Sequence, residues 1–234
     1  MTSSAAAHGA APDDPRSTWA AVDAYFAPLV GEDAVLAAAR RRAREAGLPA
    51  IQVSAAQGRF LQLLALACGA RRILEVGTLG GYSTIWLARA LAPDDSLVTC
   101  EIDPRHAAVA RENLASAGLE DRVEVLVAPA ADSLRRLVED GAEAFDLVFV
   151  DADKPSNPVY LDLALHLSHP GTLVVVDNTV RGGAVAGPSG DDPDVRGVHG
   201  LVDAITADPR LEATALQTVG EKGYDGFVLA RVVG

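Results

Sequence analysis

From Ser17 to Leu66 the apolar residues recur at helical spacing (Trp19, Val22, Tyr25, Phe26; Val35, Leu36; Phe60, Leu61, Leu64), and Pro28, Gly47 and Pro49 interrupt them. This pattern predicts three helices. After Gly69 it gives way to short runs rich in β-branched residues, RRILEV, SLVTCEI, RVEVLV, FDLVFVD and GTLVVVD. Between these runs helices are predicted near Tyr82–Leu91, Arg105–Ala117, Ala130–Glu139 and Tyr160–Leu167. The alternation signals βαβ units and a parallel sheet. Runs that are apolar on both faces, such as LVFV and LVVV, belong in the middle of a sheet covered by helices on either side.

The segment Val180–Gly197, VRGGAVAGPSGDDPDVRG, has no periodicity and reads as a mobile loop, placed to close over whatever binds beside it. A helix near Val198–Ala207 follows, then two alternating strands, LEATALQTV and GFVLARVV. GEKGYD joins them in an antiparallel hairpin. No internal repeat and no linker divides the chain. The expected organisation is one α/β domain over residues 17–234, preceded by a flexible tail over residues 1–16, which are too poor in large apolar groups to offset the entropy of ordering them.

Composition narrows the partners. Of 234 residues 49% are hydrophobic and 22% charged, an ordinary globular profile. Lys and Arg number 20 against 32 Asp and Glu, a net charge of −12 that repels phosphate backbones and anionic lipid, so neither nucleic acid nor a membrane is an expected partner. Cys68 and Cys100 sit in apolar stretches and are expected to be reduced, buried core residues. The first sixteen residues lack the basic start and long apolar run of a secretory signal, so the expected compartment is the cytoplasm.

Candidate chemistry clusters at strand ends. In ILEVGTLGGYS, residues 73–83, a strand runs into a turn with Gly77, Gly80 and Gly81, where a backbone without side chains lets a ligand approach. The spacing departs from the dinucleotide fingerprint G-x-G-x-x-G because Leu79 takes the place of its second glycine. A turn built only for tight packing is the alternative. The next strand ends in Glu101, 101 − 75 = 26 residues after Glu75. It is positioned to accept both hydroxyl hydrogens of a ribose, or else faces water as an ordinary carboxylate.

Two further strands end in oxygen donors, FDLVFV in Asp151 and VVV in Asp177 and Asn178. Such donors without nearby Cys or His favour a hard cation, Mg²⁺, Mn²⁺ or Ca²⁺. Lys154 lies three residues beyond Asp151. Beside a dication its charged form is disfavoured, which makes it a candidate general base. The alternative is a surface loop with ordinary ion pairs.

Taken together, EVGTLGGYS, TCEID, VDADK and DN resemble the cation-dependent O-methyltransferase family of catechol and caffeoyl-CoA O-methyltransferases, which uses S-adenosylmethionine (SAM). The resemblance runs from about Val53 to Val233. It implies a Rossmann-like class I methyltransferase fold, a seven-stranded sheet of order 3-2-1-4-5-7-6 with the last strand antiparallel. It also implies that Val53, Glu75, Gly77, Thr78, Ser83, Glu101 and Ala130 hold SAM, with Glu101 on the ribose, Ala130 beside the adenine, and Asp153 as a further candidate. Asp151, Asp177 and Asn178 fall on the metal ligands and Lys154 on the base. A homodimer and a catechol-like vicinal diol as methyl acceptor are implied too. Where the plant branch carries an aromatic residue after DN, this chain has Arg181, which either receives an anionic acceptor or faces water from a mobile loop.

Two other chemistries compete. An NAD(P)-dependent oxidoreductase would use the same sheet and ribose acid, but lacks the fingerprint glycine and has no role for a metal triad. An Asp-based phosphoryl-transfer enzyme is suggested by D-x-D in VDADK, which lies here on the fourth strand rather than the first. A non-catalytic SAM or metal binder would have no need of Lys154. The five histidines, His8, His106, His166, His169 and His199, show no ligand or triad spacing beyond His166 and His169 near a helix end.

Overall fold

A computed structural model describes residues 14–234, so most of the predicted tail lies outside the described residues. The first helix, α1, spans Pro15–Val30, two residues earlier than the expected tail boundary. Asp14 sets that start, its side chain accepting from the Arg16 N–H while Pro15 occupies a first-turn position that needs no donor. Helices α2 (Ala34–Glu45) and α3 (Ala55–Ala67) complete the three predicted ones, capped by the side chains of Asp33 and Ser54.

The α/β region then runs β1 (Arg72–Val76), α4 (Tyr82–Ala88), β2 (Ser96–Glu101), α5 (Pro104–Ser116), β3 (Val123–Val127), α6 (Ala130–Glu139), β4 (Phe145–Val150), α7 (Asn157–His166), β5 (Ser168–Asp177), α8 (Pro193–Ala207), β6 (Leu211–Gly220) and β7 (Gly223–Val232). The seven strands form one sheet of order β3-β2-β1-β4-β5-β7-β6. β7 is antiparallel to both β5 and β6; the other pairs are parallel.

Strand periodicity builds two cores, one on each face of the sheet. Ile73, Leu147 and Phe149 point to a core shared with Leu61, Ile85, Trp86 and Leu114 of α3, α4 and α5. Leu74, Val76, Val148 and Val150 point to the other, shared with Leu134, Leu161 and Leu201 of α6, α7 and α8. Apart from Glu75 in β1, Thr99 in β2 and Asp146 in β4, the inner residues of these central strands are apolar, and the polar residues gather at the strand ends.

Three expectations are corrected. Cys68 is exposed, because it caps the C-terminus of α3 and turns outward there; Cys100 is buried as expected, and both are free thiols. The segment 180–197 is not one loop: Arg181–Ala186 forms a short 3-10 turn, and α8 begins at Pro193 rather than Val198, its first turn held by the Asp192 side chain. The hairpin is tighter than GEKGYD suggests, with Gly220 opposite Gly223 and only Glu221 and Lys222 at the corner. Among the described residues, no helix is long and apolar enough to cross a membrane.

Candidate active site

The carboxyl ends of β1, β2 and β4 open into a cavity of about 840 Å³. Its floor depends on one glycine. Gly77 has φ +104°, and a Cβ there would stand 2.1 Å from the Asp151 carbonyl oxygen, so no other residue lets the ends of β1 and β4 close this tightly. Gly81 takes a left-handed conformation just before α4. Leu79, in the fingerprint's glycine place, also has a left-handed φ of +48°. Its backbone N–H donates to Glu101 Oε2 at 2.7 Å.

Glu101 ends β2 nearly buried, and its other oxygen, Oε1, accepts the Asp103 N–H at 2.9 Å. Each oxygen has one such amide, and a carboxylate oxygen has room for two donors, so both retain capacity toward the cavity. Val53, Gly77, Thr78, Ser83, Ala130, Asp153, Asp151 and Lys154 line the same cavity, as does His106, whose Nδ1 lies 3.5 Å from Glu101 Oε1. Its fixed place beside Glu101 was invisible to spacing, since only the turn of α5 brings the two together. Tyr160 is likewise new: its hydroxyl donates to Asp153 Oδ1 at 2.5 Å. Burial works against the Asp153 carboxylate, but hydrogen bonds from Ser156 and Tyr160 outweigh it and hold the carboxyl below its usual range.

Glu75 does not line the cavity. Its side chain is fully buried and accepts from Ser83 Oγ at 2.6 Å, Thr84 Oγ1 at 2.5 Å and Thr99 Oγ1 at 2.8 Å. Burial lifts its carboxyl to about 7 in spite of those hydroxyls, and the charge of Asp151 adds to the lift. Thr78 is tied into the same group through Thr99, at 2.6 Å between hydroxyl oxygens.

A second cavity of about 620 Å³ adjoins the first, lined by Asp177, Gln57, Phe60 and the β6–β7 hairpin around Leu216–Gly223. Both cavities touch Ile51, Gln52, Val53, Asn178 and Arg181. The predicted oxygen donors straddle this junction: Asp151 lines the first cavity, Asp177 the second, and Asn178 both. Asn178 has φ +54°, a conformation its short amide tolerates. Asp177 is 4% exposed, and burial together with the Asp151 charge pushes its carboxyl up to about 7. Lys154, buried at 6% exposure, donates from Nζ to Asp151 Oδ1 at 3.1 Å.

Arg181 is only partly turned to water, its side chain 31% exposed. It lines both cavities and its guanidinium meets Asp194 Oδ2 at 2.6 Å. His166, at the end of α7, and His169, at the start of β5 and so at the opposite edge of the sheet, bond to the Asp162 carbonyl and the Asp146 carboxylate.

Residues 28–233 match the family model described as O-methyltransferase. The chain belongs to the O-methyltransferase family. It is 50% identical to the catechol O-methyltransferase of Niastella koreensis over 212 residues, 90% of this chain and 96% of that protein. The O-methyltransferase from Bacillus cereus, solved in complex with S-adenosylhomocysteine, superposes with a TM-score of 0.91 at 50% identity, over 92% of this chain and 99% of that one. TomG from Streptomyces achromogenes, an O-methyltransferase solved with SAM, gives 0.90 at 50% identity, over 94% of this chain and 99% of that one. The fold is therefore the Rossmann-like one of SAM-dependent methyltransferases, and the protein is an enzyme of that class. Family membership removes the nicotinamide oxidoreductase and phosphoryl-transfer readings.

Proposed function

We propose that this O-methyltransferase moves the methyl group of SAM to one hydroxyl of a catechol-like vicinal diol, with a divalent cation held by Asp151, Asp177 and Asn178. The observation that carries the reading is the junction itself: a cavity with the glycine turn and Glu101 on one side, a second cavity beyond, and three oxygen donors between them. SAM belongs to the first cavity, with both Glu101 oxygens receiving the ribose hydroxyls. Val53, Gly77, Thr78, Ser83, Ala130 and Asp153 form the rest of its surroundings. Glu75 acts from behind, fixing the Ser83 hydroxyl. The name of the Niastella koreensis relative supports the diol as acceptor.

The donor set fits a hard cation. Among the described residues no three His, Cys, Asp or Glu side chains converge as a metal set; here the third donor is an amide. The Asp151 and Asp177 carboxylates repel unless a cation or proton intervenes, and the Asp177 carboxyl is raised first by its burial and then by the charge of Asp151, with Lys154 paired to Asp151 beside it. Bound there, Mg²⁺, Mn²⁺ or Ca²⁺ would supply Lewis acidity toward an acceptor hydroxyl and fix the diol by chelation.

The chain's own groups then do the rest. Lys154 Nζ accepts the hydroxyl proton. The acceptor oxygen attacks the methyl carbon as the carbon–sulfur bond breaks, and the walls of the two cavities align the reactants, which removes much of the entropic barrier.

A second copy of the chain completes the assembly. Val22, Tyr25, Phe26 and Leu29 lie at helical spacing on α1 and are 48%, 78%, 49% and 76% exposed, an apolar stripe suited to burial in a homodimer. Two free thiols fit a reducing cytoplasm.

The test is transfer of labelled methyl from SAM to a panel of vicinal diols and their mono-hydroxyl analogues, with and without chelator. Transfer to mono-hydroxyl compounds as fast as to diols, unaffected by chelator in metal-free protein, would overturn the reading. Sedimentation of the pure protein as a monomer at micromolar concentration would remove the dimer.

A further inference from the structure

Arg181 stands at the junction of the two cavities, three residues beyond Asn178, and its orientation is fixed from both ends. Its backbone, at φ +54°, donates to Asp225 Oδ1 at 3.0 Å, and its Nη2 donates to Asp194 Oδ2 at 2.6 Å. A guanidinium carries five N–H groups in one plane, so a single bond to Asp194 sets that plane and leaves donors for a ligand.

Several acids around the two cavities already hold partners of their own, while Glu221 of the hairpin also lines the second cavity. Asp225 Oδ1 also accepts from the Val180 and Gly226 N–H groups. Asp23 Oδ2 accepts from the Glu221 N–H, and Asp153 and Glu101 hold Tyr160 and backbone amides. Of the cationic side chains lining the cavities, Lys154 is paired with Asp151 and Lys222 donates to the Ala50 carbonyl, while Arg181 alone lines both cavities. A space of about 620 Å³ is also of the size that takes substituted, drug-sized ligands rather than one bare ring.

We infer that Arg181 is a specificity-determining residue that receives a carboxylate carried on the ring of the diol acceptor, with Asp194 as its positioning residue. The inference rests on the diol reading above. An ion pair of this kind, made only with an acidic acceptor, separates acidic from neutral and cationic diols in kcat/KM.

The experiment measures kcat/KM at saturating SAM for catechol, 3,4-dihydroxybenzoate and 3,4-dihydroxybenzylamine. The wild type is expected to prefer the benzoate over the benzylamine. Arg181→Gln should lower the benzoate-to-catechol ratio about tenfold or more, and Arg181→Lys should restore part of it. Because a ratio is read, a general loss of activity does not mimic the effect.

A role confined to bracing the turn against α8 would lower the melting temperature and slow all three acceptors alike, which overturns the inference. A ratio lost in Lys222→Gln and kept in Arg181→Gln overturns it too, moving the anion site to the hairpin, where Lys222 Nζ donates to the Ala50 carbonyl at 2.9 Å. If catechol is methylated and the ratio ignores Arg181, only this inference fails; if the wild type methylates none of the three, the diol reading falls with it.

Discussion

Replacing Glu75 with Gln should change how stability depends on pH, and the size of the change follows from the burial of one carboxyl. The native state lifts that carboxyl from an ordinary 4.5 to about 7, first because it is fully buried. Between those values the folded chain keeps a proton that the unfolded chain has released. Stability from this group is therefore fully present below pH 4.5 and is lost as pH rises through 7, at about 1.4 kcal/mol per pH unit and about 3 kcal/mol in all. Glutamine has nearly the same shape and does not titrate. Its amide oxygen can accept from Thr84 and Thr99, and a rotated Ser83 hydroxyl can accept from its nitrogen.

The assay is urea unfolding of both proteins from pH 4.5 to 8 in chelator, followed by tryptophan fluorescence, since Trp86 is buried in the α4 core. Only the difference between the two proteins matters, because titration of other groups, Asp177 included, cancels to first order. The Gln variant should gain about 3 kcal/mol on the wild type across that range. Parallel stability profiles would refute the reasoning and show that three hydroxyl donors suffice to keep a fully buried carboxylate charged.

The remaining predictions concern the reaction. Glu101→Gln removes a charged acceptor from hydroxyl partners, and SAM affinity by calorimetry should weaken about tenfold or more; unchanged affinity would detach Glu101 from the cofactor. Lys154→Met keeps the chain length and loses the amine. Its turnover at neutral pH should fall roughly 10²-fold with SAM binding intact, and full turnover would leave Lys154 a positioning group at most. Chelator should abolish methyl transfer, Mg²⁺ or Mn²⁺ should restore it to the wild type and not to Asp151→Ala, and full activity in protein shown by elemental analysis to be metal-free would end the cation assignment.

Much of the fold could be read along the chain because its signals are local. The two-sided apolar run Leu147–Val150 can only be a covered central strand, and α6 begins and ends where its pattern does, at Ala130 and Glu139. The start of α8 had a local signal too: Asp192 before Pro193 is an N-cap followed by a first-turn proline, outweighed by the glycines around it. Cys68 misled because an apolar neighbourhood in sequence does not say which way the last residue of a helix turns.

The first cavity, which we propose for the cofactor, was legible for the same reason, since Glu101 ends β2, Gly77 and Asp151 directly follow β1 and β4, and parallel strands end at one edge. The second cavity, where we propose the acceptor binds, was not. Its walls come from Asp23, from the stretch around Val53 to Phe60 and from the β6–β7 hairpin, separated by up to two hundred residues and joined by contacts such as the Glu221 N–H on Asp23. Nothing periodic marks them, because their proximity comes from the insertion of antiparallel β7 between β5 and β6. That insertion also brings Phe227 opposite Asp177 and carries Asp225 under the backbone of Arg181, so one topological step shapes both the burial of the second carboxylate and the setting of the cation next to it. The second cavity, where we propose the acceptor binds, is thus built from long-range packing, while the first, proposed for the methyl donor, is built from strand ends, and only the latter leaves a spacing in the sequence.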